Sequence, residues 1–124
     1  MLYDATMSLV ISVVDDMFFA SKIRAVAEAV GAEISSPRTL EGIVSKARET
    51  KPRLILIDLH NQRIEPLTLA RELKSDDELR AIRLIGFYSH VETELQRNAL
   101  AAGFDQVIPR SAFARDLAQI LATD

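Results

Sequence analysis

The sequence predicts an α/β fold: a doubly wound, five-stranded parallel sheet with helices on both faces. Five short apolar segments alternate with five segments of helical periodicity. The apolar segments are continuous aliphatic runs, which are typical of strands buried on both faces of a parallel sheet. With 124 residues, of which 48% are hydrophobic, the chain is long and apolar enough to build the core of one such domain.

The first strand and helix are predicted near the start of the chain. The segment SLVISVV (8–14) is a β-branched run that stops at Asp15 and Asp16. Apolar residues then recur at helical spacing as far as Gly31, a residue type that often ends helices. This order predicts a strand, a short acidic turn and a helix.

The second strand and helix are less clearly marked. AEIS (32–35) is a short strand candidate. We expect Ser36 to be the N-cap of the following helix, with Pro37 at its first position and Pro52 as its terminator.

The rest of the chain repeats this pattern three times. RLILID (53–58) is the clearest buried strand, because four branched aliphatic residues precede its aspartate. The other predicted segments are the strands IRLIGFY (82–88) and QVIP (106–109) and the helices EPLTLARELKSDDEL (65–79), VETELQRNALAAG (91–103) and SAFARDLAQILA (111–122).

Several polar side chains follow the ends of the predicted strands. Ligands of such sheets bind outside the carboxyl ends of the strands, near the point where the strand order reverses. We therefore expect these residues to lie along one edge of the sheet: Asp15 and Asp16 after strand 1, Asp58 at the end of strand 3, Tyr88 and Ser89 at strand 4, and Arg110 at strand 5.

The three aspartates at this edge predict a metal site. Neighbouring carboxylates repel one another, and a hard divalent cation such as Mg²⁺ holds them ionised. A carboxylate beside the metal can attack a phosphoryl group and form an acyl phosphate. Arg110 and Ser89 are the cation and the hydroxyl available to bind the incoming phosphoryl oxygens.

The composition excludes several other classes of site. The chain has no cysteine, which excludes disulfides, thiolate catalysis and the common zinc sites. A net charge of −3 gives no electrostatic reason to expect a nucleic-acid or membrane partner. No signal peptide or membrane span is predicted, so we expect a cytoplasmic location. One domain is expected at residues 8–123, after an N-terminal extension at residues 1–7.

Four motifs carry a family resemblance that covers nearly the whole chain. The motifs VVDD, LILIDL, LIGFYS and AAGFDQVIPRS resemble the receiver domains of bacterial two-component response regulators. The resemblance implies a flavodoxin-like sheet with the strand order 2-1-3-4-5. It also implies that Asp58 accepts a phosphoryl group from a sensor histidine kinase or a phosphotransfer protein, and that the domain itself is a signalling module and not an enzyme.

The same resemblance implies roles for the other residues at the edge. Asp16 would bind Mg²⁺ directly and Asp15 mainly through water, and the metal would also contact Asp58 and the backbone carbonyl of His60. Ser89 would match the switch serine or threonine of the family, and Arg110 its lysine.

The chain departs from the family pattern at several positions. The loop DLHNQRIEP after strand 3 lacks the usual Met-Pro pair, and a guanidinium stands where the family has an ammonium. The alignment around strand 4 is open by one residue, because counting back from Gly103 places Tyr88, and not Ser89, at the switch position. Val107 occupies a position that is often aromatic. These departures indicate an atypical receiver.

Three alternatives remain open from the sequence. The fold would equally suit a pseudo-receiver that binds partners without phosphorylation. Ser89 heads the capping-box pattern SHVE and is a candidate N-cap for the fourth helix. The segment DLHNQR also resembles part of a cobalamin-binding motif, in which His60 would ligate cobalt; Arg63 replaces the glycine of that motif, and we expect His60 to be a solvent-exposed loop residue instead.

The expected output is a protein contact. The resemblance implies a signalling surface formed by helix 4, strand 5 and helix 5, used for a downstream protein, a missing output domain or a homodimer. No direct contact with nucleic acid or membrane is expected.

Overall fold

The computed structural model describes residues 8–90 and 92–122. The predicted N-terminal extension at residues 1–7, and residue 123 of the predicted domain, lie outside the described residues. The strands are β1 (Ser8–Val13), β2 (Ala32–Ser35), β3 (Leu54–Asp58), β4 (Arg83–Tyr88) and β5 (Gln106–Pro109), and the helices are α1 (Met17–Val30), α2 (Leu40–Thr50), α3 (Pro66–Lys74), α4 (Thr93–Ala102), α5 (Arg110–Arg115) and α6 (Leu117–Ala122).

The five strands form one parallel sheet in the order β2-β1-β3-β4-β5. This confirms the predicted fold class and strand order. β1 pairs with β2 on one side and with β3 on the other, so the strand order reverses between β1 and β3. The carboxyl ends of these two strands therefore form the switch point where such sheets bind ligands.

The sheet is buried on both faces. On β3, Ile55 and Ile57 belong to a hydrophobic cluster shared with α2, α3 and α4, whereas Leu54 and Leu56 belong to a cluster shared with α1, α5 and α6. All four side chains are fully buried. The continuous aliphatic run is thus explained by successive side chains that enter two different cores.

Three phenylalanines form an aromatic group in the second cluster. The rings of Phe87 and Phe113 stack with centroids 4.6 Å apart, and Phe19 meets both rings edge-on at 5.3 and 5.8 Å. The three side chains come from β4, α5 and α1. The group therefore ties the start of α1 to the end of the sheet.

Two predicted helix boundaries are wrong. Helix α2 begins at Leu40, because the Thr39 hydroxyl caps it by accepting a hydrogen bond from the Gly42 N–H at 2.9 Å. The Ser36 hydroxyl instead accepts a hydrogen bond from Arg24. The single helix predicted over 111–122 is split at Asp116, which ends α5.

The other helices agree in type with the prediction and differ in length. Helix α3 ends at Lys74, whose ammonium binds the carbonyls of Arg80 and Ile82 and the carboxylate of Asp105. None of the helices in the described ranges is long and apolar enough to cross a membrane.

Candidate functional site

The predicted polar residues lie where the strands reach the carboxyl edge of the sheet. Asp15 and Asp16 form the turn between β1 and α1, and Asp58 is the last residue of β3. Ser89 follows β4, and Arg110 is the first residue of α5, directly after β5. The topology thus brings these predicted residues to one edge of the sheet. Their side chains have different partners there.

Asp16 is held by three hydrogen bonds. Its Oδ1 accepts from the backbone N–H groups of Phe18 (2.9 Å) and Phe19 (3.1 Å), which makes it the N-cap of α1. Its Oδ2 accepts from Nη2 of Arg110 at 2.9 Å. The Arg110 hydrogen bond, followed by the Phe19 N–H, lowers the pKa of Asp16 below its ordinary value. The carboxylate is therefore held in its charged form.

Arg110 is fixed on both sides. Its guanidinium carbon lies 4.1 Å from the centroid of the Phe19 ring. The edge of the guanidinium forms the ion pair with Asp16. The side chain is about one-third exposed. Because this guanidinium is bound to Asp16, it forms no ion pair with Asp58 in the structure.

Asp58 is held only by its own loop. Its Oδ1 accepts a hydrogen bond from the His60 N–H at 2.9 Å, and its side chain is half-buried. Across residues 8–90 and 92–122, no cationic side chain forms an ion pair with it. Among the three aspartates described at this edge, Asp58 is therefore the one without an arginine partner.

Asp15 has a looser partner. Nε of Arg63 lies 3.6 Å from its Oδ1, and both side chains are substantially exposed. A pair of this kind contributes little to stability, because water screens it and two long side chains must be ordered. It nevertheless places a second guanidinium at the edge of the sheet.

The carboxylates as arranged do not fit a metal ion. No group of three histidine, cysteine, aspartate or glutamate side chains in the described chain is placed to hold one. Asp15 faces Arg63 and Asp16 faces Arg110, so guanidinium groups occupy the positions where a cation would neutralise the charge. Mg²⁺ bound to Asp16 would compete with Arg110 for the same carboxylate.

Tyr88 and Ser89 take different environments. Tyr88 is the last residue of β4 and packs in the first hydrophobic cluster, with 8% of its surface exposed. Ser89 is exposed beyond the strand. The prediction that Ser89 caps the fourth helix is wrong: α4 begins at Thr93, and its N-cap residue is Glu92.

The segment before α4 instead contacts the loop after β3 through His90 and Glu92. The rings of His60 and His90 meet edge-on, with centroids 5.8 Å apart, and Nδ1 of His60 lies 3.9 Å from a carboxylate oxygen of Glu92. Nε2 of His60 is buried without a hydrogen-bond partner in the described chain. His60 is thus exposed only in part, with 29% of its side-chain surface accessible, because its ring packs against His90.

Asn61 shapes the loop that lacks the Met-Pro pair. Its side-chain oxygen accepts hydrogen bonds from the backbone N–H groups of Arg63 and Ile64, both at 2.9 Å. An asparagine that bonds its own loop in this way forms an Asx-turn. Only 7% of its surface is exposed, so this loop is built around a buried polar side chain.

Comparison with solved structures identifies the fold. A receiver domain protein of Methanospirillum hungatei is 21% identical, covers 94% of this chain and 91% of its own, and has a TM-score of 0.78. A response regulator of Chloroflexus aurantiacus is 16% identical, covers 95% of this chain and 100% of its own, and has a TM-score of 0.81. A chemotaxis response regulator of Vibrio cholerae is 14% identical, covers 94% of this chain and 97% of its own, and has a TM-score of 0.80. The chain has the receiver-domain fold. No family model and no curated protein sequence matches it.

Sequence reasoning missed one feature of the candidate site: the arginine next to Asp15. Arg63 entered the prediction only as a departure from a cobalamin motif. Its ion pair joins the β1–α1 turn to the β3–α3 loop, two segments nearly fifty residues apart. The arginine in this loop was the available signal, but the direction of its side chain depends on the loop geometry that Asn61 imposes.

Proposed function

We propose that this chain is a receiver domain of a two-component system that accepts a phosphoryl group on Asp58 and signals through its surface. One observation carries the proposal. Asp58 ends the central strand β3 beside the switch point, and it is the acid at this edge that no arginine neutralises. A nucleophilic carboxylate needs such freedom, because a guanidinium would withdraw the oxygen that attacks.

The proposed chemistry is transfer from a phosphohistidine of a histidine kinase or phosphotransfer protein. An Asp58 oxygen attacks the phosphorus, and the new P–O bond forms as the P–N bond breaks. The electron pair of the P–N bond leaves with the imidazole, which takes a proton. The product is an acyl phosphate on Asp58.

Arg110 and Ser89 are proposed to stabilise the transferred group. Arg110 already lies at this edge, bound to Asp16, and Ser89 is exposed after β4. An added phosphoryl dianion would compete with Asp16 for the guanidinium. No step is assigned to Mg²⁺. Asp15, Asp16, Asp58 and the His60 carbonyl would have to rearrange in order to hold this ion.

A second candidate function is a pseudo-receiver that binds partners without phosphorylation. The observation that favours it is the pairing of Asp15 with Arg63 and of Asp16 with Arg110, which leaves no carboxylate group arranged for a cation. In this case the ion pairs would orient the loops, and Asp58 would be an ordinary strand-end residue.

Intact mass after incubation with phosphoramidate or acetyl phosphate separates the two functions. We expect an adduct of one phosphoryl group in wild type, its loss in Asp58→Asn, and its retention in Asp77→Asn, a matched change at an aspartate that is 86% exposed. Parallel samples with Mg²⁺ and with EDTA test whether arginine or metal supplies the charge. An unmodified mass with both donors in both buffers would sink the phospho-acceptor function.

The partner surface is proposed to be the face of α4, β5 and α5. Helix α4 presents polar residues and an exposed leucine, Leu100, which is 54% exposed and suits a protein contact. A downstream protein, an output domain or a second copy would dock there. A cytoplasmic location fits a kinase partner of this kind.

A further inference from the structure

A separate cavity lies next to the acidic edge, and we propose that it binds a small phosphate monoester. It has a volume of about 220 Å³ and is bounded by the end of β1, helix α1, the loop after β2 and the loop after β3. Asp58 does not line it. The proposal is thus independent of phosphorylation at Asp58.

The charge of the cavity points to an anion. Three arginines from three different segments line it, Arg24 of α1, Arg38 of the β2–α2 loop and Arg63 of the β3–α3 loop, against one carboxylate, that of Asp15. The protein as a whole is acidic, with a net charge of −3. A net positive cavity in an acidic protein concentrates anions at that place.

The cavity also holds the buried polar groups of the domain. Among the described residues, the only buried polar side chains are Ser12 and Asn61, with 4% and 7% of their surfaces exposed, and both line this cavity. Both side chains therefore offer polar groups to a molecule in this cavity.

The arginines are partly positioned in advance. Nη2 of Arg24 donates to the Ser36 hydroxyl at 3.0 Å, which ties α1 to the loop after β2. The Asn61 side chain fixes the backbone of Arg63 at 2.9 Å. Fixing these residues before a ligand arrives reduces the entropy lost on binding.

Size and charge narrow the ligand class. The cavity is smaller than the usual range of about 300–1,000 Å³ for drug-sized ligands, so it suits a molecule of a few heavy atoms. Guanidinium forks match the oxygens of phosphate, and a phosphate monoester carries the double charge that several arginines neutralise. The hydroxyl of Ser12 and the amide of Asn61 would bind a polar body attached to the phosphate.

A substitution of Asp15 should increase the affinity of the cavity for phosphate. Arg63 is shared between Asp15 and the cavity, so the carboxylate competes with a bound phosphate for the guanidinium. Removal of the Asp15 charge should tighten phosphate binding. Such a gain of affinity cannot arise from a variant that merely fails to fold.

The experiment is an amide-resolved NMR titration of the full chain in EDTA buffer, with chloride holding the ionic strength constant. We expect saturable shifts at Ser36, Arg38 and Arg63 with inorganic phosphate, with a Kd of about 1 mM. Glycerol 3-phosphate should bind several-fold more tightly, because its carbon body meets Ser12 and Asn61. Weaker binding of this ester would overturn the ester assignment.

Variants locate the site. We expect Arg24→Gln and Arg38→Gln each to weaken binding by about fivefold or more, and Asp15→Asn to tighten it by about twofold. The control Arg97→Gln removes an exposed charge on α4 and should leave the affinity unchanged. Shifts that do not saturate by about 50 mM phosphate, or an Arg97→Gln loss equal to that of Arg38→Gln, would overturn the proposal.

Discussion

Asp16 lies just after β1 and Asp58 is the last residue of β3, and these two strands are neighbours in the sheet. The partners of the two carboxylates nevertheless differ. Asp16 begins a helix, caps it with one oxygen and binds Arg110 with the other. Asp58 ends its strand in a loop and accepts one hydrogen bond from that loop. Both carboxylates lie at the same edge of the sheet, so the difference between them comes from their partners. Asp16 is neutralised by Arg110, whereas Asp58 keeps an oxygen that is free to react.

The support beneath the two sites differs as well. The Asp16–Arg110 pair rests on Phe19, which packs against Phe87 and Phe113. The Asp58 loop rests on the hydrogen bonds of Asn61. One side is thus held by an aromatic core and the other by a single polar side chain.

The largest effect is expected when the aromatic support is removed. Phe113→Ala should lower the free energy of unfolding by about 3–5 kcal/mol, because Phe113 is fully buried and stacks on Phe87. The control Phe18→Ala, at a side chain that is 90% exposed, should change it by less than about 0.5 kcal/mol. Urea unfolding measures both. Equal effects would refute the assignment of Phe113 to the core.

A smaller effect is expected on the Asp58 side. Asn61→Ala removes the acceptor of two backbone N–H groups and should cost about 1–2 kcal/mol of unfolding free energy. Asn61→Asp keeps the acceptor and should recover most of this loss. Urea unfolding of the pair checks the prediction. A loss in Asn61→Asp as large as in Asn61→Ala would show that the side-chain oxygen does not hold the loop.

The smallest effect is expected from the ion pair itself. Arg110 lowers the pKa of Asp16 in the folded state, so the pair contributes stability that is present above the ordinary pKa of an aspartate. That contribution is lost as the pH falls through the lowered, folded-state pKa. Arg110→Gln should therefore lose some stability at neutral pH and less at a pH of about 2, below the ordinary value.

Thermal unfolding at the two pH values measures this difference. Arg110→Lys keeps a cation and should recover part of the stability at neutral pH. If the Gln variant were destabilised to the same extent at both pH values, its loss of packing on Phe19 would explain the effect, and the charge pairing would not.

Local pattern was sufficient for the order of elements. The aliphatic run before Asp58 predicted a strand buried on both faces, and helical spacing up to Gly31 predicted α1, because these features depend on neighbours in the chain. Helix starts were harder to predict. Thr39 and Ser36 are both good N-cap residue types; in the structure Thr39 caps α2, whereas Ser36 accepts a hydrogen bond from Arg24 of another helix.

The sequence by itself determined the α/β fold and the edge at which Asp15, Asp16, Asp58, Ser89 and Arg110 lie, because parallel strands carry their carboxyl ends to one side. The tertiary structure alone decided the partners of these residues. Arg110 and Asp16 are 94 residues apart, and Arg63 reaches Asp15 from another loop. Long side chains can meet several acids at one edge, so their pairing follows from the geometry of the loops and not from their order in the chain.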